Sequence, residues 1–268
     1  MRLATIVLDG RPRVAVIDER DRVHPLDPSV TMRDVAAGVV RVPPPSGDGL
    51  LLADVRLGPA VPDPGAIYTI GLNYNGPGAA PCPDRPLVYG KAPSSVGAHG
   101  ATLAWDRSVT DDVDAEIELG IVIGRPAFHV VPGDALDHVF GYTCINDISA
   151  RDEALDGDQW LLGKSMPGFC PVGPWIVTAD AFDPRDVRLG CTINGEPIQD
   201  GRTSQIRSGI DEIVAYLSRH LELRPGDLIA SGTPVRLATP PGPGRRLRAG
   251  DTVTVWVEGI GELTTRIG

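Results

Sequence analysis

Glycine and proline divide the chain into short segments. Their frequency limits the length of helices and strands, and so restricts the possible folds more than any other feature of the sequence. Of the 268 residues, 32 are glycine and 26 are proline, which leaves little room for long helices. Two clusters of these residues, at 42–49 and 57–65, separate a short N-terminal part from the rest of the chain. The sequence therefore predicts a fold built from many short strands.

The apolar segments between these breaks have the length and composition of β-strands. Two hairpins are predicted, one at the Asp-Gly turn at 9–10 between strands 3–9 and 13–18, and one at the Asn-Gly turn at 194–195. The remaining predicted elements are strands at 67–70, 87–89, 115–124, 141–146, 174–178, 189–193, 227–231, 252–258 and 261–267, and helices at 32–38, 133–140 and 206–221. Because strands dominate and helices are segregated, we predict an α+β fold rather than a parallel doubly wound sheet.

Charge and hydropathy argue against several classes of partner. The net charge of -10 and pI near 4.9 argue against nucleic acid and anionic membranes. No apolar run reaches the ~18 residues that a membrane span requires, and the N-terminus turns polar too early for a signal peptide. The four cysteines form no Cys-x-x-Cys pair, which predicts free thiols in a reducing, cytoplasmic compartment.

Lysine is rare in a chain that otherwise uses arginine. Of the 25 basic residues, only Lys91 and Lys164 are lysines. A compact ammonium differs from a planar guanidinium in geometry and in how readily its pKa shifts. The two lysines therefore either occur by chance or have a role in a functional site, and composition alone leaves both interpretations open.

Three acidic residues form a candidate metal site. In the segment DAEIELGIVIG at 114–124, Glu116 and Glu118 would share one face of a strand, with Ile117 on the opposite face. Asp147 follows the predicted strand 141–146. A solvent-facing strand edge would explain the two glutamates alone. Three oxygen donors without a His or Cys cluster select Mg²⁺ or Mn²⁺, with Ca²⁺ as a third candidate.

Eight sequence blocks follow one another along the chain. They are GLNY, EIELGIVIGR, GYTCINDISARD, GKS, PVGPW, NGEPIQDGRT, YLSRHLELRPGDLIASGTP and LRAGDTVTVWVEGIGEL. Any single block is a weak signal, whereas their common order and spacing are strong. This order resembles the fumarylacetoacetate hydrolase family, including its 2-hydroxyhepta-2,4-diene-1,7-dioate isomerases. The resemblance covers residues 66–268 well and the N-terminal part loosely.

This resemblance implies an architecture and an assembly. We expect a strand-rich mixed β-roll or sandwich of the fumarylacetoacetase C-terminal type at 63–268, preceded by a small N-terminal β-rich domain at 1–62. It also implies a homodimer that acts on a small-molecule oxo acid or dicarbonyl substrate.

The resemblance also implies roles for individual residues. The family holds a divalent metal with two glutamates and an aspartate, which match Glu116, Glu118 and Asp147. This agrees with the interpretation from strand geometry. Lys164 matches a lysine beside the metal and, with Asp147, is predicted to be catalytic. The residues predicted to bind the substrate are Tyr74, Pro77, Lys91, Arg151, Ala154 and Thr233.

The chain departs from the family pattern where protons are handled. The family loop runs Asn-Tyr-x-x-His-x-x-Glu, and its His and Glu activate water or shuttle protons. Pro77 and Ala80 occupy those two positions here. Ala154 stands where the family has glutamine, and Pro167 where it has aspartate. The chain thus keeps the metal ligands and loses most of the proton-handling groups.

Three functions remain open. The first is metal-dependent enolate chemistry on a 1,3-dicarbonyl or 2-oxo acid, by isomerisation, decarboxylation or ring closure, with Lys164 sharing the negative charge. The second is C–C bond hydrolysis of the fumarylacetoacetate or acylpyruvate type, with His99 as the nearest substitute base. General base catalysis is worth ~10²–10⁴-fold, so a hydrolase needs such a substitute. The third is a non-catalytic, ligand-binding relative.

Overall fold

The computed structural model describes residues 1–81, 84–152, 158–237 and 246–268. The strands in these ranges are Arg2–Leu8 (β1), Arg11–Ile17 (β2), Arg22–Pro25 (β3), Leu50–Leu51 (β4), Arg56–Leu57 (β5), Ile67–Gly71 (β6), Leu87–Lys91 (β7), Val96–Gly97 (β8), Thr102–Leu103 (β9), Val113–Asp114 (β10), Ile117–Ile123 (β11), Val139–Asn146 (β12), Ser149–Ala150 (β13), Cys170–Thr178 (β14), Arg188–Ile193 (β15), Glu196–Arg202 (β16), Leu228–Ala230 (β17), Thr252–Val257 (β18) and Gly261–Ile267 (β19). The α-helices are Met32–Ala36 (α1), Pro132–Ala135 (α2), Trp160–Lys164 (α3) and Ile210–Ser218 (α4). No described helix has the length and apolar character needed to span a membrane.

A twelve-stranded sheet carries most of the structure. Its strand order is β4-β3-β2-β1-β14-β12-β11-β17-β6-β7, with β5 beside β1 and β8 beside β14. Most neighbours are antiparallel, but β17 pairs with β6 and β8 with β14 in parallel, so the sheet is mixed. The N-terminal hairpin extends this sheet because β1 pairs with β14. The division of the chain into units at 1–62 and 63–268 stays a prediction.

A second sheet packs against the first and encloses the main core. It has five strands in the order β16-β15-β18-β19-β9. Ile117, Leu119 and Ile121 of β11 belong to the same apolar cluster as Cys191 and Val255 of this second sheet. The predicted alternation along β11 is therefore confirmed, and burial of these side chains stabilises the packed layers at ~25 cal/mol per Å² of apolar surface. The strand-rich α+β fold is confirmed.

Both predicted hairpin turns form. Asp9 and Gly10, and likewise Asn194 and Gly195, have φ between 50° and 81°. Positive φ at both central residues is the geometry that joins adjacent antiparallel strands in a two-residue turn. The sequence signal was sufficient here because the turn chemistry is local.

The longest predicted helix is shorter than expected. Apolar periodicity predicted 206–221, whereas α4 runs over Ile210–Ser218. Ile206 instead forms an isolated β-bridge with Tyr74, and the N–H of Gly209 donates to the Glu212 carboxylate at the true N-terminus. The tertiary contact overrides the local helical pattern for the first turn.

The cysteine prediction holds for the described thiols. Cys144, Cys170 and Cys191 are free and buried. Cys82 lies outside the described residues.

Candidate active site and metal centre

The pairing of β11 with β12 brings the three predicted acidic residues together. Ile117 at the start of β11 pairs with Asn146 at the end of β12. Asp147, the next residue, donates its N–H to the carbonyl of Glu116 at 2.8 Å. One carboxylate oxygen from each of Glu116, Glu118 and Asp147 lies within 4.8 Å of the others. The start of β11 and the end of β12 thus lie side by side, and this brings the three carboxylates together.

Two buried ammonium groups hold Asp147. Lys91 donates to Asp147 Oδ1 at 2.5 Å and to the carbonyl of Ile148 at 2.9 Å. Lys164 donates to Asp147 Oδ2 and, at 3.0 Å, to the hydroxyl of Ser149. Each oxygen of this carboxylate therefore has its own cationic partner, and the only two lysines of the chain meet at the same residue.

These charges shift the pKa values of the site in opposite directions. Burial would raise the pKa of Asp147, but Lys164 and Lys91 outweigh it and lower the pKa. Burial and the charge of Asp147 raise the pKa of Glu118 well above its ordinary value. Burial works to lower the pKa of Lys164, yet the neighbouring Asp147 and Glu116 raise it. Lys164 is therefore a protonated, cationic group at neutral pH.

Asp114 joins several arginines beside the acidic cluster. Its carboxylate accepts from Arg151 Nε at 3.0 Å, and Arg236 Nη2 lies 2.8 Å away. Arg246 Nη1 approaches the same carboxylate at 3.4 Å. Arg151 Nη2 also lies 2.5 Å from Glu116. Asp114 thus fixes the orientation of Arg151, a predicted substrate-binding residue.

The side-chain amide of Gln199 connects the second sheet to this site. Gln199 of β16 accepts from the N–H of Ile117 at 3.0 Å. Its Nε2 donates to Thr233 Oγ1 at 2.7 Å and to the carbonyl of Pro234 at 2.8 Å. The nearby N–H of Gly232 donates to Glu118 at 2.6 Å. The Gly-Thr-Pro turn is thereby bound both to a glutamate and to the start of β11.

A cavity of about 440 Å³ opens onto the acidic cluster. Most of the predicted site residues line it, and they are Tyr74, Glu116, Glu118, Asp147, Arg151, Lys164 and Thr233. Ala80, which stands in the position of the family glutamate, also lines it. The structure thus brings together residues that are up to 159 positions apart, from 74 to 233.

Other predicted residues lie elsewhere. Lys91 is fully buried and contacts Asp147 away from the lining, and Pro77 is not among the described lining residues. His99 lines a different cavity, with Trp175 and Arg266, and Pro167 lines a third. Ala154 lies outside the described residues. Among the described lining residues there is no histidine.

Several lining and supporting residues were missed by the sequence analysis. Tyr89 and Trp160 stack at 4.8 Å between ring centroids and both line the cavity. Arg236 lines it as well, and Asp114 and Gln199 support it from behind. No local motif marks these residues, since each acts through a partner that is distant in sequence. The two aromatic rings near the lysine blocks were the one available signal.

The donor set fits a hard divalent cation. Three carboxylate oxygens converge on one point, which is the ligand chemistry of Mg²⁺ and Mn²⁺. The hydroxyl of Tyr74 is buried without a partner in the described ranges, and burial together with the charge of Glu118 raises its pKa. An orphaned donor and three crowded carboxylates are unfavourable in an empty protein interior. Both would be relieved by a cation and its bound ligand.

Comparison with known proteins shows the family. The sequence family described as fumarylacetoacetate (FAA) hydrolase C-terminal matches residues 66–268. A fumarylacetoacetate hydrolase from psychrophilic Exiguobacterium antarcticum is 33% identical with a TM-score of 0.88, and the match covers 100% of this chain and 99% of that one.

Two further solved structures are similar. One is a 2-hydroxyhepta-2,4-diene-1,7-dioate isomerase from Mycobacterium marinum, which is 32% identical with a TM-score of 0.79, covering 100% of this chain and 98% of that one. The other is a maleylpyruvate hydrolase from Sphingobium sp. SYK-6 in complex with manganese(II) and pyruvate, 27% identical, TM-score 0.78, with the same coverage. The chain belongs to the fumarylacetoacetate hydrolase family.

Proposed function

We propose that this protein is a divalent-metal-dependent enzyme that acts on an enolisable 2-oxo acid or 1,3-dicarbonyl compound. The reaction class is isomerisation, decarboxylation or ring closure. The observation that carries the proposal is the convergence of Glu116, Glu118 and Asp147 on a cavity with no histidine among its described lining residues. Manganese bound by one similar protein supports Mn²⁺ or Mg²⁺ as the cation.

The residues that would hold the cation are the three carboxylates. Held there, Mg²⁺ or Mn²⁺ would supply Lewis acidity toward the oxygens of an oxo acid or dicarbonyl substrate. Among the described residues around the site, five carboxylates face five basic groups, namely Asp112, Asp114, Glu116, Glu118 and Asp147 against Lys91, Arg151, Lys164, Arg236 and Arg246. Adding a dication leaves two positive charges, which match an enolised oxo acid with its carboxylate. The site is therefore complementary to the reacting form rather than to the ground state.

The protein's own groups position the substrate. Lys164 is protonated, and its buried ammonium stabilises negative charge that develops on the substrate. Arg151 is oriented by Asp114 and Glu116 and faces the cavity, where a guanidinium binds a carboxylate. Thr233 accepts a hydrogen bond from Gln199, and its own hydroxyl can donate to a substrate oxygen.

The proposal is tested by enolisation itself. Proton–deuterium exchange at C3 of pyruvate, followed by NMR in D₂O, should depend on Mn²⁺ or Mg²⁺ and on enzyme concentration. Glu118→Ala should abolish the enzyme-dependent exchange, whereas Glu222→Ala, which removes an exposed glutamate on the surface, should not. Unchanged exchange in Glu118→Ala would overturn the proposal.

C–C bond hydrolysis is the second candidate, because two of the similar proteins are hydrolases. It requires a group that activates water, and His99 lies in another cavity. An acylpyruvate substrate separates the two functions, since hydrolysis yields pyruvate and a free acid. Cleavage that His99→Ala leaves intact would exclude His99 as the base. Failure to bind Mn²⁺ in a calorimetric titration would instead favour a non-catalytic relative.

A further inference from the structure

Apolar and aromatic residues make up one part of the cavity lining, the apolar wall. Leu72, Tyr89, Trp160 and Val235 line the cavity together with the small residues at 78–80. The rings of Tyr89 and Trp160 are tilted by 30° at a centroid distance of 4.8 Å. This wall has the composition of a pocket for an apolar group.

Leu72 is held in a conformation that leucine rarely adopts. Its φ is 54°, in the left-handed region that favours glycine. Asn73 fixes the segment, because its amide donates to the carbonyl of Ser231 at 2.8 Å and its side-chain oxygen accepts from the N–H of Ser208. The Leu72 residue is 46% exposed and lies at the cavity. Glycine would adopt this backbone without penalty, so the side chain points to a use in binding.

The basic residues at the cavity take part in ion pairs within the protein. Three basic residues line it within the described ranges, and acidic residues already pair with all of them. Arg151 and Arg236 pair with Asp114, and Lys164 pairs with Asp147. Arg236 keeps its Nη1 without a partner in the described ranges, whereas the side chains of Leu72 and Val235 offer a substituent only apolar contact.

We propose that Leu72, Tyr89, Trp160 and Val235 form an apolar subsite for the substituent of the substrate. The substrate class is then 2-oxo or 1,3-dicarbonyl acids with an aromatic or branched aliphatic substituent. The inference rests on the proposed function, because it takes the acidic cluster as the place where the oxo acid end is held. It adds that the oxo acid end of the substrate lies at the acidic cluster and that the substituent lies against the apolar wall.

Calorimetric titration of the Mn²⁺-loaded protein tests the subsite with three probes: pyruvate, phenylpyruvate and 2-oxoglutarate. Burial of the phenyl ring should make phenylpyruvate bind at least about tenfold more tightly than pyruvate. 2-Oxoglutarate, which has a second carboxylate in place of the ring, should bind more weakly than phenylpyruvate, because the side chains of Leu72 and Val235 offer a carboxylate no partner.

Two variants assign this preference to the wall. Leu72→Gly should reduce the preference for phenylpyruvate about fivefold or more without lowering Tm, because glycine suits the backbone at that position. Val235→Thr keeps the shape, adds a hydroxyl and should also reduce the preference. Leu161→Ala is the matched control, since Leu161 lies on α3, is 55% exposed and is absent from the described lining.

The outcomes separate the two proposals. Equal affinity for phenylpyruvate and 2-oxoglutarate, or a preference that survives both variants, would overturn the subsite and leave the proposed function standing. Absence of binding by all three acids to the metal-loaded protein would overturn both.

Discussion

Replacing Glu118 by glutamine tests whether the acidic cluster is assembled for a cation. Ligand oxygens of Glu116, Glu118 and Asp147 lie within 4.8 Å of one another. At an effective dielectric constant of about 20, two ionised carboxylates at that distance would repel by about 3.5 kcal/mol, and burial together with this repulsion raises the pKa of Glu118. Lys164 offsets part of this repulsion, and a glutamine oxygen can still accept the bond from Gly232. The metal-free Glu118→Gln variant should therefore be at least as stable as the wild type.

Bound metal should make the wild type more stable than the Glu118→Gln variant. A cation at a hundred times its Kd stabilises the folded state by about 2.7 kcal/mol, which raises Tm by roughly 5–10 °C for a chain of this size. Glu118→Gln removes one of three anionic ligands, so most of this rise should disappear. The assay is thermal unfolding followed by circular dichroism, in EDTA and over a series of Mn²⁺ concentrations. Glu222→Gln, an exposed acidic control that pairs with Arg224, should behave as the wild type.

Two results would refute this reasoning. An equal Mn²⁺-dependent rise in Tm for Glu118→Gln and the wild type would show that Glu118 is not a ligand. A much lower Tm for the variant in EDTA would show that the Glu118 carboxylate stabilises the fold instead of straining it.

Three further changes have predictable outcomes. Lys91→Met should lower the free energy of unfolding in urea by about 3–5 kcal/mol, because Asp147 loses a buried ionic partner. Asp114→Asn should lower kcat/KM for enolisation about tenfold or more with little change in Mn²⁺ affinity, because Arg151 loses one of its two carboxylates. Burial lowers the pKa of His99, so the unfolded chain takes up a proton below about pH 6.5 that the folded state resists. The wild type should therefore lose stability from pH 6.5 to 5 faster than His99→Asn in urea titrations, and equal losses would contradict this.

The elements that could be predicted from the sequence depend on local chemistry. The hairpin turn at Asn194 follows from two residues, and the alternation of Ile117 and Leu119 follows from the two-residue period of a strand. The proximity of Glu118 and Asp147 could be anticipated. Glu118 lies near the start of one predicted strand, and Asp147 directly follows the end of another, with which the first strand pairs. These signals lie within a few residues of the feature that they predict.

The supporting residues of the site could not be predicted in this way. Asp114 orients Arg236 across 122 positions of sequence, and Trp160 stacks on Tyr89 only because α3 folds back onto β7. The positive φ of Leu72 is imposed by the hydrogen bonds of the neighbouring Asn73. In each instance a tertiary contact decides the role, and the residue type alone carries no sign of it.

The Gln199 amide has a mechanical consequence. It is anchored in one sheet, yet it grips the first peptide of β11 and the Gly-Thr-Pro turn of the other layer. A sliding motion between the layers would displace Thr233 and the peptide between Glu116 and Ile117 in concert. Gln199 thus links the two layers beside the acidic cluster. Thermal motion of one layer relative to the other should be larger at positions far from Gln199.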